Sequence, residues 1–311
     1  MDKRSIPKFH PSFYGPRYWP TWLGIGFFYL LSVLPMTISL GIGRLIGDLF
    51  YYVARSRRHI AKVNIAKCFP DLSALEQHKL VRDIMRSTGK AVVEAAVGLW
   101  GPAYQLKDRY SISGLEHIEA AKASGQGVLL VGFHFTTIDL VGRVLCAHLE
   151  FDVLYRKDPN PLMAYVIAKA RGKFAQNAIV RADTRQLIKN LRDGHVVWYA
   201  PDQDYGAKYS VFAPFFGVQA ATIIGTSRIA KMGKASVIPI VHYRGEGNHY
   251  HIEISPPLEN YPTGDDVADA TRINQLFEIP IAKHPDQYLW VHRRFKTRPE
   301  GEPDFYTRKK S

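Results

Sequence analysis

An α/β fold built on a largely parallel sheet is the class this sequence predicts, and three observations carry the prediction. From residue 125 onward, short apolar runs of strand type alternate with segments of helical period. Ahead of them lies a long helical stretch whose apolar residues Leu80, Ile84, Val92, Val93, Ala96 and Leu99 recur near a helical period. No internal repeat or low-complexity linker divides the 311 residues, a length sufficient for one large domain and an N-terminal extension.

In chain order, residues 18–43 (YWPTWLGIGFFYLLSVLPMTISLGIG) come first and contain no charged side chain. Such a run can cross a hydrocarbon core of about 30 Å, so a membrane anchor is expected here. Pro35 predicts a kink or a stop, and a helix of roughly 14 residues dipping into one leaflet is the alternative. The run starts late and lacks a small-x-small cleavage site, so it reads as retained rather than as a removed leader. Tyr14, Tyr18, Trp19 and Trp22 cluster where an interfacial aromatic belt lies. Basic residues flank both ends, with Arg44, Arg55, Arg57, Arg58 and Lys62 on the far side, which favours a cytoplasmic main domain. The expected division is therefore an N-terminal segment, 1–43, and one α/β domain, 44–311.

Residues 44–68 read as a basic helix, Pro70 and Asp71 as a turn, and 73–99 as a second helix. GVLLVGF (127–133) is a buried strand leading into a turn and helix over HFTTIDLVGRVLCAHL. Then follow a strand at 151–155, helices at 161–174 and 184–193, and a strand at 195–200. A helix near 220–232, strands at 236–243 and 249–255, and a helix around 265–284 complete the pattern. The GEGN between the last two strands predicts an antiparallel hairpin at one edge of the sheet.

Composition narrows the partners. Lys and Arg number 41 against 28 Asp and Glu, a net charge of +13 that favours lipid headgroups, nucleic acid or an acidic protein. Nucleic acid is disfavoured because the basic and aromatic residues form no recognisable module. Cys68 and Cys146 stand far apart without metal-like spacing, and His242, His249 and His251 read as strand residues, so neither a disulfide framework nor a metal site is expected.

Two strand ends hold the residues that could carry chemistry, where an open α/β sheet places its ligands. In GFHFTTID, His134 follows the buried strand and Asp139 lies five positions on. Five helical residues turn about 500°, leaving the side chains about 140° apart, so His134 must sit in the turn for Asp139 to reach it. A carboxylate on one imidazole nitrogen would fix the tautomer and free the other nitrogen as a general base. A turn histidine and a capping aspartate is the competing reading. At the second end, VVWYAPDQDYG, Asp202 and Asp204 follow the strand, and a turn-capping role competes there too. Between them, Arg156 in YRKDPNPL and Arg171 in ARGKF could grip phosphate or an oxyanion.

These strings, with VFAPFFG (211–217) and above all QYLWVHRRFKTRPEGE (287–302), resemble the late acyltransferases of lipid A biosynthesis. FYGPRYWPTWLG (13–24) and NIAKCFP (64–70) extend the resemblance over nearly the whole chain, closer to the lauroyl and palmitoleoyl branch than to the myristoyl one. The resemblance implies a glycerophosphate-acyltransferase-like sandwich, acyl carrier protein as donor, and the tetraacylated, Kdo-bearing precursor Kdo2-lipid IVA as acceptor. It also implies the cytoplasmic face of a Gram-negative inner membrane and no cofactor. Carried over by position, His134 is the base, Asp139 its partner, and Arg171 and Asp202 are further residues of activity. Many relatives have Glu at the position of Asp139. Arg156, Asp204, Arg293 and Arg294 are candidate substrate contacts, the last two within a basic string interleaved with Trp290 and Phe295 that fits a headgroup-facing edge. A glycerol-phosphate or lysophospholipid acyltransferase is the neighbouring alternative, although APDQDYG replaces the E-G-T-R-type motif usual there. A membrane-bound scaffold is the non-enzymatic one.

Overall fold

The computed structural model describes residues 8–155, 158–174, 177–181 and 183–307. Arg156 therefore lies outside the described residues. The uncharged N-terminal run forms two helices, α1 (Trp19–Val33) and α2 (Met36–Val53). Pro35, extended at φ −49 and ψ 134, separates them, as its missing N–H and fixed ring predict. The expected spanning anchor is not supported: no described helix is long and apolar enough to cross a membrane.

The division at 43/44 falls inside α2, which packs along a later helix, α4 (Ala74–Trp100). Before it comes the basic helix α3 (Arg55–Cys68). Gly43 and Gly47 of α2 face Gly89 of α4 so closely that a Cβ on Gly89 would stand 2.2 Å from the Gly43 carbonyl oxygen. Backbones this near seat α2 directly on α4. A capping box starts α4: Glu76 accepts from the Ser73 N–H at 2.8 Å while Ser73 Oγ accepts from the Glu76 N–H.

The sheet then builds in order: β1 (Tyr110–Ser113), α5 (Leu115–Ala123), β2 (Val128–Val131), α6 (Ile138–Leu145), β3 (Asp152–Tyr155) and α7 (Pro161–Arg171). Next come β4 (Asn177–Val180), α8 (Thr184–Arg192), β5 (Val196–Tyr199), the hairpin β6 (Ser210–Phe215) and β7 (Val218–Ile223), and α9 (Gly225–Gly233). Last are β8 (Ser236–Arg244), β9 (Tyr250–Ile254) and α10 (Asp266–Lys283). The strand order is β1-β9-β8-β2-β5-β3-β4. Five strands from β8 to β4 run parallel, whereas β9 is antiparallel to β8 and parallel to β1. The expected β8–β9 hairpin is present, but β1 rather than β9 forms the edge. The helix expected near 220–232 starts only at Gly225, and residues 218–223 form β7 of a separate two-stranded sheet.

Helices cover both faces, so β2 and β5 are buried on both sides and read as unbroken apolar runs. Their side chains alternate between two cores. Leu129, Val131, Val197 and Tyr199 point to one, Val128, Leu130, Val196 and Trp198 to the other. Beyond α10 the chain has little regular structure yet is deeply packed: Trp290 and Phe295 are wholly buried. Asn64 of α3 holds it by donating to the Trp290 and His292 carbonyls.

Candidate active site

Strand register assembles the centre. Val131 of β2 pairs with Tyr199 of β5, so His134 and Asp202 each lie three residues past one paired rung of a parallel ladder. They emerge side by side at the carboxyl end of the sheet. His134 is framed by Phe133 and Phe135, both buried, and Phe133 stacks on Phe277 at 4.0 Å. With these rings fixed inward, the imidazole is turned out of the core into a cavity. Its main chain is fixed as well: the His134 N–H donates to Asp202 Oδ2 at 2.9 Å, and its carbonyl accepts from the Leu289 N–H at 3.1 Å.

Asp202 Oδ1 lies 2.5 Å from His134 Nδ1, a short charge-assisted contact. Asp202 is 2 % exposed. Among the described residues, this is the carboxylate hydrogen-bonded to His134. The expected partner, Asp139, stands in the first turn of α6 and accepts from Arg171 Nη2 at 2.9 Å. The helical geometry explains the correction: Asp139 projects from a helix flank, whereas Asp202 arrives from the neighbouring strand at the level of the imidazole. Asp139 and Arg171 nonetheless line the same cavity as His134.

Burial opposes charge on His134, but the Asp202 carboxylate, through its charge and hydrogen bond, and Asp139 more distantly, hold its pKa above the ordinary value. Burial likewise opposes ionisation of Asp202, yet His134 and the cationic Arg294 keep it below the usual carboxylate value. With Nδ1 engaged by Asp202, His134 Nε2 is the nitrogen left for a substrate proton. Gln203 Nε2 approaches it at 3.4 Å.

Gln203 was not singled out by the sequence, nor was Tyr288, whose buried phenol is raised well above its usual pKa by burial and then by Asp202. The signal for Gln203 was its place next to Asp202 at the end of a buried strand. Nothing local to Tyr288 announces it.

Two candidate substrate contacts are corrected. Asp204 is spent on structure, accepting from the Thr297 N–H at 2.6 Å, the Thr297 hydroxyl at 2.8 Å and the Gly206 N–H at 2.9 Å. Arg294 is 1 % exposed and donates to the Ala221 carbonyl and to Thr222 Oγ1, which locks the β6–β7 hairpin and supports Asp202 from within. Arg293 is exposed, with its guanidinium 5.7 Å from the Tyr306 ring centre.

The cavity measures about 1020 Å³, large enough for a long-chain ligand. It reaches both faces of the sheet: Trp198 and Phe151 line it on one side, Tyr199 and Leu187 on the other. Its walls are mainly apolar, and cations including Arg181, Lys208 and Arg228 stand at exposed positions along it. A base at the mouth of an apolar chamber suits proton removal from a hydroxyl attached to a lipid.

Comparison with known proteins agrees. Residues 6–297 match the family described as bacterial lipid A biosynthesis acyltransferase. The chain is 38% identical over 304 residues to the lipid A biosynthesis lauroyltransferase of Escherichia coli K12, covering 97% of this chain and 99% of that protein. It is 37% identical over 301 residues to the palmitoleoyltransferase of the same strain, covering 96% and 98%. Identity to the myristoyltransferase is 29% over 312 residues, covering 99% and 96%, in keeping with the branch the motifs resemble. The crystal structure of the 1-acyl-sn-glycerophosphate acyltransferase PlsC from Thermotoga maritima aligns at a TM-score of 0.36 and 14% identity, covering 79% of this chain and 99% of that one, so the α/β assignment rests on the sheet itself. By the match of almost its entire length, the chain belongs to the bacterial lipid A biosynthesis acyltransferase family.

Proposed function

We propose that the enzyme transfers a lauroyl or similar acyl group from acyl carrier protein to a hydroxyl of a hydroxyacyl chain on Kdo2-lipid IVA, with His134 as general base. The observation that carries this reading is the His134–Asp202 pair opening onto a large, mostly apolar cavity. His134 Nε2 takes the hydroxyl proton as the oxygen attacks the thioester carbonyl. Negative charge then gathers on the carbonyl oxygen. Arg171, which lines the cavity and is held there by Asp139, is the cation placed to receive it. Collapse breaks the carbon–sulfur bond, and the departing thiolate takes the proton back from Nε2, leaving an ester and a thiol. The step as written needs no metal and no acyl-enzyme.

The setting we propose is the cytoplasmic face of the inner membrane, with α1 and α2 lying in the interface. Trp19, Leu23, Phe27 and Leu30 share one exposed face of α1, and Ile38, Leu45, Leu49 and Tyr52 share one of α2. The basic excess suits anionic lipids, acceptor phosphates and an acidic carrier protein.

The test is mass spectrometry of Kdo2-lipid IVA incubated with acyl carrier protein thioesters and either wild type or His134→Ala. One added acyl chain, lost or reduced about 10²–10⁴-fold in rate in the variant, is the expected result. No added chain with folded wild type overturns the reading and turns attention to lysophospholipid acceptors. An addition unaffected by the substitution overturns the role of His134.

A further inference from the structure

We propose that Gly142 governs the length of the acyl chain the enzyme accepts, by keeping open the part of the cavity between α6 and the Trp198 face of the sheet; the inference rests on acyl transfer as the function. Ile138, Gly142 and Cys146, four residues apart, turn one stripe of α6 and its C-terminal cap toward the cavity. The opposite flank, Leu140, Val141, Val144 and Leu145, is buried in the core. From Ile138 to Cys146 this wall extends about 12 Å at 1.5 Å per residue, with Gly142 midway. Phe151 and Trp198, their rings 5.9 Å apart, close the other side.

The space at Gly142 is what sets it apart. A Cβ added there would meet nothing nearer than Trp198 Cζ3 at 3.9 Å, an ordinary contact. By contrast, a Cβ on Gly98, which also lines the cavity but packs directly on α6, would fall 2.8 Å from the Asp139 carbonyl oxygen, so glycine is required there by close packing. Gly142 answers to no such constraint, and a glycine within a helix is destabilising relative to alanine. What it supplies is room for a ligand. Ile138, Cys146, Phe151 and Trp198 give this part of the cavity an apolar surface that accepts methylenes, with the reactive end of the chain at His134; the charged groups that also line it from this side are occupied, Asp139 with Arg171 and Arg143 over the Phe174 ring. The other side of the cavity, by Tyr199 and Leu187, carries the exposed cations Arg181, Lys208 and Arg228 and suits the phosphorylated acceptor.

Gly142→Met would send an unbranched, adaptable side chain into the slot halfway along it. The experiment gives full-length protein Kdo2-lipid IVA and an equimolar mixture of octanoyl, decanoyl, dodecanoyl, tetradecanoyl and hexadecanoyl thioesters of acyl carrier protein, and reads product masses. Gly142→Met is expected to move the preferred donor to a shorter chain, raising the ratio of short to long products at least about tenfold while transfer of the shorter chain persists. Gly142→Ala, which no neighbour opposes, should shift the ratio the same way by less, and it decides the matter if the methionine variant does not fold. Unchanged preference in the folded variants overturns this inference and leaves acyl transfer standing. Absence of transfer by wild type with every donor overturns both.

Discussion

Two histidines in this centre have opposite electrostatic fates. His242, wholly buried on β8 with Nδ1 at 2.7 Å from Thr137 Oγ1, is pushed down to about 3 by burial, with a smaller push from His134, and stays neutral. His134 has Asp202 beside it and is held above its ordinary 6.5 despite burial. Environment separates the two, as it does wherever one centre needs both an inert and a proton-accepting imidazole. A base must be neutral to act, so the raised pKa sets the sign of the pH response: activity is low on the acid side and rises through a value above 6.5. The strings HFTTID and APDQDYG made His134 and Asp202 visible as candidates. Their pairing was not legible, because it spans 68 residues and depends on which strands are neighbours. Asp204 and Arg294 were misplaced for a related reason. A local string cannot distinguish a polar group facing substrate from one buried against Thr297 or the β6–β7 hairpin.

At the scale of elements, uninterrupted apolar runs and helical periods made β2, β5, β8 and most helices readable. β1 and β4 escaped notice because each is a four-residue strand at an edge of the sheet. The β6–β7 hairpin escaped because VFAPFF contains a proline that local propensity disfavours in a strand. The α2–α4 contact was equally hidden, since nothing in a glycine announces its partner. It gives a direct prediction. Gly89→Leu drives a side chain into the backbone of α2 and should lower stability by about 1–3 kcal/mol or more, seen as a lower midpoint in thermal unfolding. Gly41, whose Cβ would meet nothing within 4 Å, is the control: Gly41→Ala should leave that midpoint equal or raised.

On the whole-molecule scale, the exposed apolar faces of α1 and α2 and the basic excess belong to one surface problem. Leu23 is 76% and Leu45 68% exposed, an arrangement that water alone does not favour. Vesicles containing anionic phospholipid should bind the protein, more weakly as salt is raised. Leu23→Glu with Leu45→Glu should reduce partitioning at least about tenfold, since each removes an apolar side chain worth roughly 1.5–3 kcal/mol on burial. Equal binding by the double variant in a sedimentation assay would move the membrane contact elsewhere. The lack of charge in this region predicts a membrane anchor, and Pro35 predicts its break into two; the packing of α2 on α4 was not legible.

The most direct test of the central claim, that Asp202 orients His134 and raises its basicity beside the cavity, is the pH dependence of kcat/KM for acyl transfer by wild type, Asp202→Asn and Asp139→Asn. Removing the Asp202 charge leaves burial as the dominant influence, so the limb should move toward acid and the plateau should fall about a hundredfold or more. Asp139→Asn should move the limb less, because its charge acts on His134 more weakly and without a hydrogen bond. A profile unchanged in Asp202→Asn but displaced in Asp139→Asn would contradict the account and return the partnership to Asp139.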